Sequence, residues 1–169
     1  MYILDTERLR LREFTPQDAP FLLTLTNEPG WQHNISDPGI RTADQALAWM
    51  EDRFFKAYRD TGHGFWAVER RDDGELLGLA GLFRRPALPG PDLGYALLAR
   101  HEGQGYASEA AAGCVAHARD SFGWPELLAI TAVHNARSAA LLTKLGFVEE
   151  ETRLLDGYTE PSRHFRLRF

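Results

Sequence analysis

Apolar and polar positions alternate at the start of the chain, where Leu9, Leu11 and Phe14 are separated by Arg10, Arg12 and Glu13. A period close to two predicts a first strand with one buried face. Thr15, Pro16 and Asp18 then supply an N-cap, a first-turn proline and a capping-box acid, so a helix is predicted to about Asn27, ending before Pro29 and Gly30. Residues 31–40 read as a loop. Thr42 with Gln45 repeats the capping signal, and Ala46, Leu47, Met50, Phe54, Ala57 and Tyr58 follow at spacings of three and four, which predicts a second amphipathic helix. Phe65 to Glu69 and Leu76 to Phe83 are strand-like runs joined through Asp73-Gly74, a hairpin signal, and should pair antiparallel.

Beyond Pro86, Pro89 and Pro91, Leu93 to Leu98 reads as a fourth strand and Tyr106 to about Phe122 as a long helix. The buried stripe of that helix would be Ala107, Ala110, Ala111, Cys114, Val115, Ala118 and Phe122. Trp124 and Pro125 break it. Leu127 to Val133 is an apolar fifth strand, Ala136 to Leu145 a helix stopped by Gly146, and Val148 to Leu155 and His164 to Phe169 are two closing strands with an Asp156-Gly157 turn near their junction. About seven strands and four helices in this order describe one α/β (α+β) domain over residues 1–169, a mixed sheet covered by helices.

Composition narrows the class without changing the fold. Hydrophobic residues make up 44% and charged residues 25% of 169, an ordinary globular balance. The net charge of -5, with no Lys/Arg-rich stretch, disfavours a nucleic-acid partner. Asp5, Glu7 and Arg8 end the apolar run of the first four residues before a secretory core or membrane span can form, which points to a cytoplasmic protein with no membrane partner. Cys114, the single cysteine, excludes an internal disulfide and a multi-cysteine zinc site; in an Ala-rich helical stretch it reads as a core residue, and no metal is expected.

The segment from Arg100 to Ala107, Arg-His-Glu-Gly-Gln-Gly-Tyr-Ala, joins the fourth strand to the long helix. Gly103 and Gly105 let the backbone turn tightly and approach a ligand, and the free amides and positive dipole end of the helix attract an anion such as a pyrophosphate. The same glycines could serve a plain strand-to-helix turn. A dinucleotide fingerprint is broken by Ser108 at its third glycine position, and a Walker loop lacks its Gly-Lys-Ser/Thr.

Arg100-x-x-Gly103-x-Gly105 after one strand, Asn135-x-x-Ser138 after the next, and Lys144-x-Gly146-Phe147 closing the following helix together resemble the GNAT superfamily of N-acetyltransferases. Thr6-Glu7-Arg8-Leu9-Arg10-Leu11-Arg12, Gly94-Tyr95 and Gly103-x-Gly105-Tyr106-Ala107-x-Glu109-Ala110 are similar to its RimJ/RimL-like, ribosomal-protein branch. The resemblance covers nearly the whole chain. It implies a sheet splayed between its fourth and fifth strands with acetyl-CoA in the gap. Backbone of Leu97 and Leu98 would pair with the pantetheine arm, and Arg100 with the segment Gly103, Gln104, Gly105, Tyr106, Ala107 and Ser108 would hold the pyrophosphate. Asn135 would bond the cofactor arm, and Ser138 would lie near the sulfur. Read without the family, Asn135 could simply cap its helix and Ser138 could be a solvated helix residue.

Transfer to an amine needs a proton acceptor for the ammonium and a donor for the departing thiolate. Many superfamily members place a tyrosine acid four residues past the Ser138 position, where this chain has Leu142. That departure leaves Ser138 as the carried-over donor. Asp92 matches a carboxylate position of the branch and would act as base through water, unless it is a solvated loop acid; Glu109 is a rival better suited to supporting the helix start. His101 and His33 are further candidates. Trp31, His33 and Asn34 fall in the loop that by resemblance borders the acceptor, although a tryptophan there could equally pack on the core. The implied function is acetyl transfer from acetyl-CoA to a protein N-terminal amine or a small amine, with a homodimer common among related enzymes. The competing class is a non-catalytic acyl-CoA-binding module, which would need neither base nor acceptor cleft.

Overall fold

A computed structural model describes all 169 residues. Eight strands form one sheet in the order β1-β2-β3-β4-β5-β6-β8-β7: β1 Tyr2–Asp5, β2 Leu9–Arg12, β3 Phe65–Arg70, β4 Leu76–Phe83, β5 Asp92–Leu97, β6 Glu126–Ala132, β7 Val148–Arg153 and β8 Ser162–Arg168. All neighbours are antiparallel except β5 and β6, whose parallel pairing consists of Asp92 opposite Leu128 and nothing more. Past that bridge the two strands part, as expected of a splayed sheet.

The helices are α1 Ala19–Thr26, α2 Pro29–Asn34, α3 Ala43–Met50, α4 Lys56–Thr61, α5 Tyr106–Asp120 and α6 Ala136–Lys144. Thr15 and Asp18 form the expected capping box ahead of α1, and the Thr42 hydroxyl accepts from the Gln45 amide at α3. A π-helical turn over Glu51–Phe55 joins α3 to α4, so the predicted second helix is one run that ends on Gly62 at φ 74°. No helix is long and apolar enough to cross a membrane, and no group of three or more His, Cys, Asp or Glu side chains is placed to hold a metal ion.

Two elements depart from expectation. Strand β1 was not anticipated: it is four residues long and only its middle pair, Ile3 and Leu4, is half-buried, too short a pattern for a period to register. Helix α2 runs from Pro29 into the predicted loop, because Pro29, which cannot extend α1, sits in the first turn of a new helix where no amide partner is needed.

The strands' alternation divides the core in two. On one face, α5 and α6 pack Ala110, Ala111, Cys114, Ala118, Ala139 and Leu142 against Leu9, Leu11, Trp66, Leu93 and Phe165. Small residues on α5 let the helix lie close to the sheet. Burial pushes the Cys114 thiol well above its ordinary pKa, which fits a packing residue and not a nucleophile. On the other face, α1, α2 and α3 pack Leu22, Leu25, Trp31, Ala46 and Met50 over Ala67, Leu79 and Leu98. Along β5, Leu93, Tyr95 and Leu97 therefore look toward α5 and α6, and Ala96 looks the opposite way.

The start of α5 is tied to the first hairpin by Glu109. Its carboxylate accepts from the Thr6 hydroxyl at 2.5 Å, the Arg8 amide at 2.7 Å and the Arg8 guanidinium at 2.7 Å. Arg8 in turn donates to the Gln104 carbonyl at 2.9 Å and lies 4.4 Å over the Tyr106 ring. Burial opposes the charge on Glu109, but the three donors outweigh it and hold its carboxyl below the usual range. Glu109 is thus spent on positioning α5.

Glu109→Gln should lower stability by about 1–3 kcal/mol at pH 7, since the amide end presents a donor to a donor. The melting temperature should fall by about 3–8 °C. Because the carboxyl is held low in the folded state, the advantage over Gln should be full above pH 4.5 and fade as pH falls through the folded value; equal melting at pH 7 would show the tie to be idle. Packing makes a second expectation: a Cβ at Gly78 would sit 2.1 Å from the Ala96 carbonyl and 2.7 Å from the Leu97 Cα, whereas one at Gly30 meets nothing within 4 Å. Gly78→Ala should cost about 3 kcal/mol or more and Gly30→Ala less than about 0.5 kcal/mol in denaturant titrations.

Candidate active site

Gly103 and Gly105 adopt φ of 74° and 82°, a left-handed backbone that side chains resist. The turn they make aims the first amides of α5 outward. Glu109 is the first residue of the helix to donate back, to the Gly105 carbonyl at 3.0 Å, so the amides of Tyr106, Ala107 and Ser108 are free to receive an anion. A Cβ on Gly105 would come within 3.2 Å of the Arg8 guanidinium. Arg100 stands at the same mouth, largely exposed and bonded to Glu75 at 3.0 Å, and the Gln104 side-chain amide donates to the Arg100 carbonyl at 3.3 Å.

The ladder between β4 and β5 settles which backbone groups face the gap. Leu98 donates to Leu77 at 2.9 Å and Gly78 stands opposite Leu97, so hydrogen-bonded and free positions alternate. The backbone groups of Leu93, Tyr95 and Leu97 point toward β6; the Leu93 amide belongs to the Asp92–Leu128 bridge, and Tyr95 and Leu97 face space where that strand has already turned away. Leu97 therefore keeps its backbone groups free on the gap side, as a partner of the pantetheine arm would need. Leu98 does not: its amide is bonded to Leu77, its carbonyl accepts from His101 at 2.9 Å, and its side chain is buried among α1 to α3. Two consecutive residues of a strand cannot both present their backbone to one side.

Asn135 caps α6, its side-chain oxygen accepting from the Ser138 amide at 3.2 Å. Its NH2 is left to donate elsewhere. Ser138, in the first turn of α6, faces β5, where the Tyr95 hydroxyl lies 2.9 Å from its Oγ and 3.2 Å from its carbonyl oxygen. Burial pushes the Tyr95 phenol up to about 12, against the pull of the Ser138 bond. Leu142, one turn further on, is 1% exposed and packs in the core. Nearer the mouth, Arg137 pairs with Glu102 at 2.9 Å between two exposed side chains, a contact of little energy.

Asp92 sits at the apex, on the one residue pair that joins β5 to β6. It is fully buried, which removes the solvated-loop reading. Both contacts from Arg85, at 2.9 Å and 2.7 Å, fall on Oδ2, while Oδ1 is buried without a partner. Arg85 also donates to the Tyr158 hydroxyl at 3.1 Å, linking the β4–β5 loop to the β7–β8 loop. Burial raises the Asp92 pKa against the opposing pull of Arg85.

The expected acceptor-loop residues separate. Trp31 is buried, edge-on to Trp49 with ring centres 6.5 Å apart, and belongs to the core. His33 and Asn34 instead reach the β6–α6 turn: the His33 ring lies 4.1 Å from that of His134, and His134 bonds the Asn34 oxygen at 3.1 Å. His101 is buried against Glu75 at 3.1 Å and faces away from the gap. A surface groove of about 760 Å³ between Phe14, Leu47, Phe55 and Tyr58 is lined by none of these residues. Tyr95, Arg85 and His134 were given no role from sequence; strand alternation already placed Tyr95 on the α5 side, but its partner is 43 residues away.

Comparison with known proteins agrees with this layout. A model of the acetyltransferase (GNAT) domain matches residues 8–148. The uncharacterized N-acetyltransferase YoaA of Bacillus subtilis (strain 168) is 29% identical over 153 residues, 88% of this chain and 84% of its own. An acetyltransferase from Agrobacterium tumefaciens str. C58 superposes with a TM-score of 0.82 at 25% identity, covering 98% of this chain and 94% of that one. RimL, a ribosomal L7/L12 alpha-N-protein acetyltransferase solved with coenzyme A, shares the fold at a TM-score of 0.85 and 16% identity over 100% of this chain and 98% of its own. With the domain match spanning most of the chain and the splayed sheet in place, this protein belongs to the GNAT acetyltransferase family.

Proposed function

We propose that this chain is an N-acetyltransferase of the RimJ/RimL-like branch that moves the acetyl group of acetyl-CoA directly onto a primary amine, either a protein N-terminus or a small amine. The observation that carries the reading is the gap between β5 and β6, which opens from one residue pair and has three free α5 amides at its mouth. A pyrophosphate fits those amides, and an extended arm fits the unpaired edge of β5 at Tyr95 and Leu97. Among proteins of the same fold, RimL acts on a ribosomal protein and SpeG on spermidine, so both acceptor classes belong in the test. Leu142 in place of a tyrosine favours one second reading, a binding module, which would bind acetyl-CoA without turnover.

In the catalytic reading Asp92 Oδ1, the carboxylate oxygen that Arg85 leaves unused, receives the amine proton through a water. A carboxylate whose pKa is raised by burial is a stronger base than an exposed one. Ser138 then donates a hydrogen bond to the departing sulfur.

Acetyl-CoA should stabilise the protein by about 2.7 kcal/mol at a hundredfold excess over its dissociation constant, read as a melting shift. Gly105→Val should abolish that shift, because the φ of 82° and the Arg8 contact leave no room for a branched side chain where the ligand approaches. A wild-type shift in the variant would reduce the loop to a turn. Thiol release across a panel of amines and N-terminal peptides separates enzyme from binding module. With an accepted amine, Asp92→Asn should lose about 100-fold to 10,000-fold in turnover at neutral pH. It should recover in part as rising pH deprotonates the amine unaided. Asn still offers Arg85 an acceptor, so near-normal turnover in this variant would move the base role elsewhere.

A further inference from the structure

We propose that Tyr95 is a positioning residue for the leaving group, its hydroxyl fixing the Ser138 hydroxyl so that the Ser138 hydrogen is aimed at the sulfur of the departing thiol. This rests on the acetyltransferase reading above and supplies, from the sheet, the phenol that the helix lacks at Leu142.

Three observations carry it. The Tyr95 oxygen is within reach of two Ser138 acceptors, Oγ at 2.9 Å and the carbonyl oxygen at 3.2 Å, so the phenol has no other use in the fold. Ser138 Oγ has Tyr95 as its one protein partner, and when it accepts from the phenol its own hydrogen must point elsewhere. The contact spans the opened gap: β5 and β6 share only Asp92 with Leu128, yet three residues past that bridge β5 reaches across to the first turn of α6. A hydroxyl left to rotate would sample several directions; one held by a phenol and by an amide capped on Asn135 samples few.

The step balances without a proton leaving either hydroxyl. The amine lone pair forms the C–N bond, the C–S bond breaks with its electron pair on sulfur, and the amine proton passes to water or Asp92. A thiol of ordinary pKa about 8.5 leaves readily as thiolate once its charge accepts a hydrogen bond. Burial keeps the Tyr95 phenol protonated to about pH 12, so its support should not vary between pH 6 and 10, in contrast to that of Asp92.

The test reads the sulfur directly. Coenzyme A is bound to wild type, Tyr95→Phe, Ser138→Ala and the double variant, and the thiolate absorbance is titrated with pH. Phe keeps the ring and removes the hydrogen bond. We expect the bound thiol to be about tenfold more acidic in wild type than in Tyr95→Phe, the scale of one hydrogen bond to a charge. Ser138→Ala should match or exceed that loss, and the double variant should be no worse than Ser138→Ala alone. With an accepted amine, kcat of Tyr95→Phe should fall by about tenfold while KM for acetyl-CoA stays at the wild-type value. A bound thiol titrating alike in wild type and Tyr95→Phe would overturn the proposal. So would independent, multiplying losses in the double variant, or a parallel fall in coenzyme affinity and melting temperature, which would make Tyr95 a fastener of the gap. Failure of wild type to bind coenzyme A would overturn the acetyltransferase reading itself, and binding without turnover leaves the thiol titration to decide.

Discussion

The early end of the β5–β6 pairing is the constraint on which the site depends. A parallel pair that continued would spend the backbone of Tyr95 and Leu97 on β6 and leave no edge for a ligand. Because pairing stops at Asp92 and Leu128, those groups stay unbonded inside the sheet, a costly arrangement unless something extended and polar fills the space. The two halves are still held together by α5 and α6 packing into one core across the division. Opening a sheet at its centre is tolerable here because β4 and β8 each pair fully along the outer sides of the two strands.

Around the gap, charged groups divide into those used by the fold and those left over. Glu109 has three donors and Glu75 is shared among Arg70, Arg100 and His101, so neither has capacity to act on a substrate. Asp92 keeps one oxygen unpartnered in a buried place, where an unmet acceptor costs roughly 1–3 kcal/mol. An acceptor left open at the apex of the cleft is what the proposed base role of Asp92 requires.

Much of the fold was legible because its borders carry their own chemistry. The Thr15–Asp18 box, the Thr42–Gln45 cap, the Asp73-Gly74 turn and the Gly146 stop each fix an end locally, and β4 falls on Leu76 and Phe83 as the apolar run predicts. What failed was short or depended on partners. Strand β1 exists because β2 accepts it as an edge, and α2 begins on a proline that reads as a stop. Within the site, the turn at Gly103 and Gly105 and the helix start behind it could be read from the glycines. Leu98 and Trp31 could not be separated from their neighbours, since ladder parity and the direction of an indole are properties of the packed sheet. Asn135 turned out to serve as a cap, and a cap leaves its amide group free, so the two readings of that residue are compatible.

On the proposed reading, the two faces of β5 explain why the donor side of the reaction is written in motifs and the acceptor side is not. Toward α5 and α6, β5 offers Tyr95 and Leu97 to a region bounded by backbone amides and a helix start, features that serve any molecule with the same phosphates and thiol. Toward the other side it offers Asp92, Gly94 and Ala96, and the rings that follow are Phe65 stacked on Phe83 at 5.4 Å, with Phe54 6.1 Å from Phe65 and Trp49 beyond. The cover over Asp92 comes from Arg85 and Tyr158, on two loops joined by one hydrogen bond and by Leu88 and Leu155, which share a small buried cluster with Leu128. The exposed side chains of such loops vary with little disturbance to the sheet. In that reading a fixed donor pocket faces a replaceable acceptor wall because one strand lies between a packed helix pair and a pair of loops, a division set by the alternation of β5 itself.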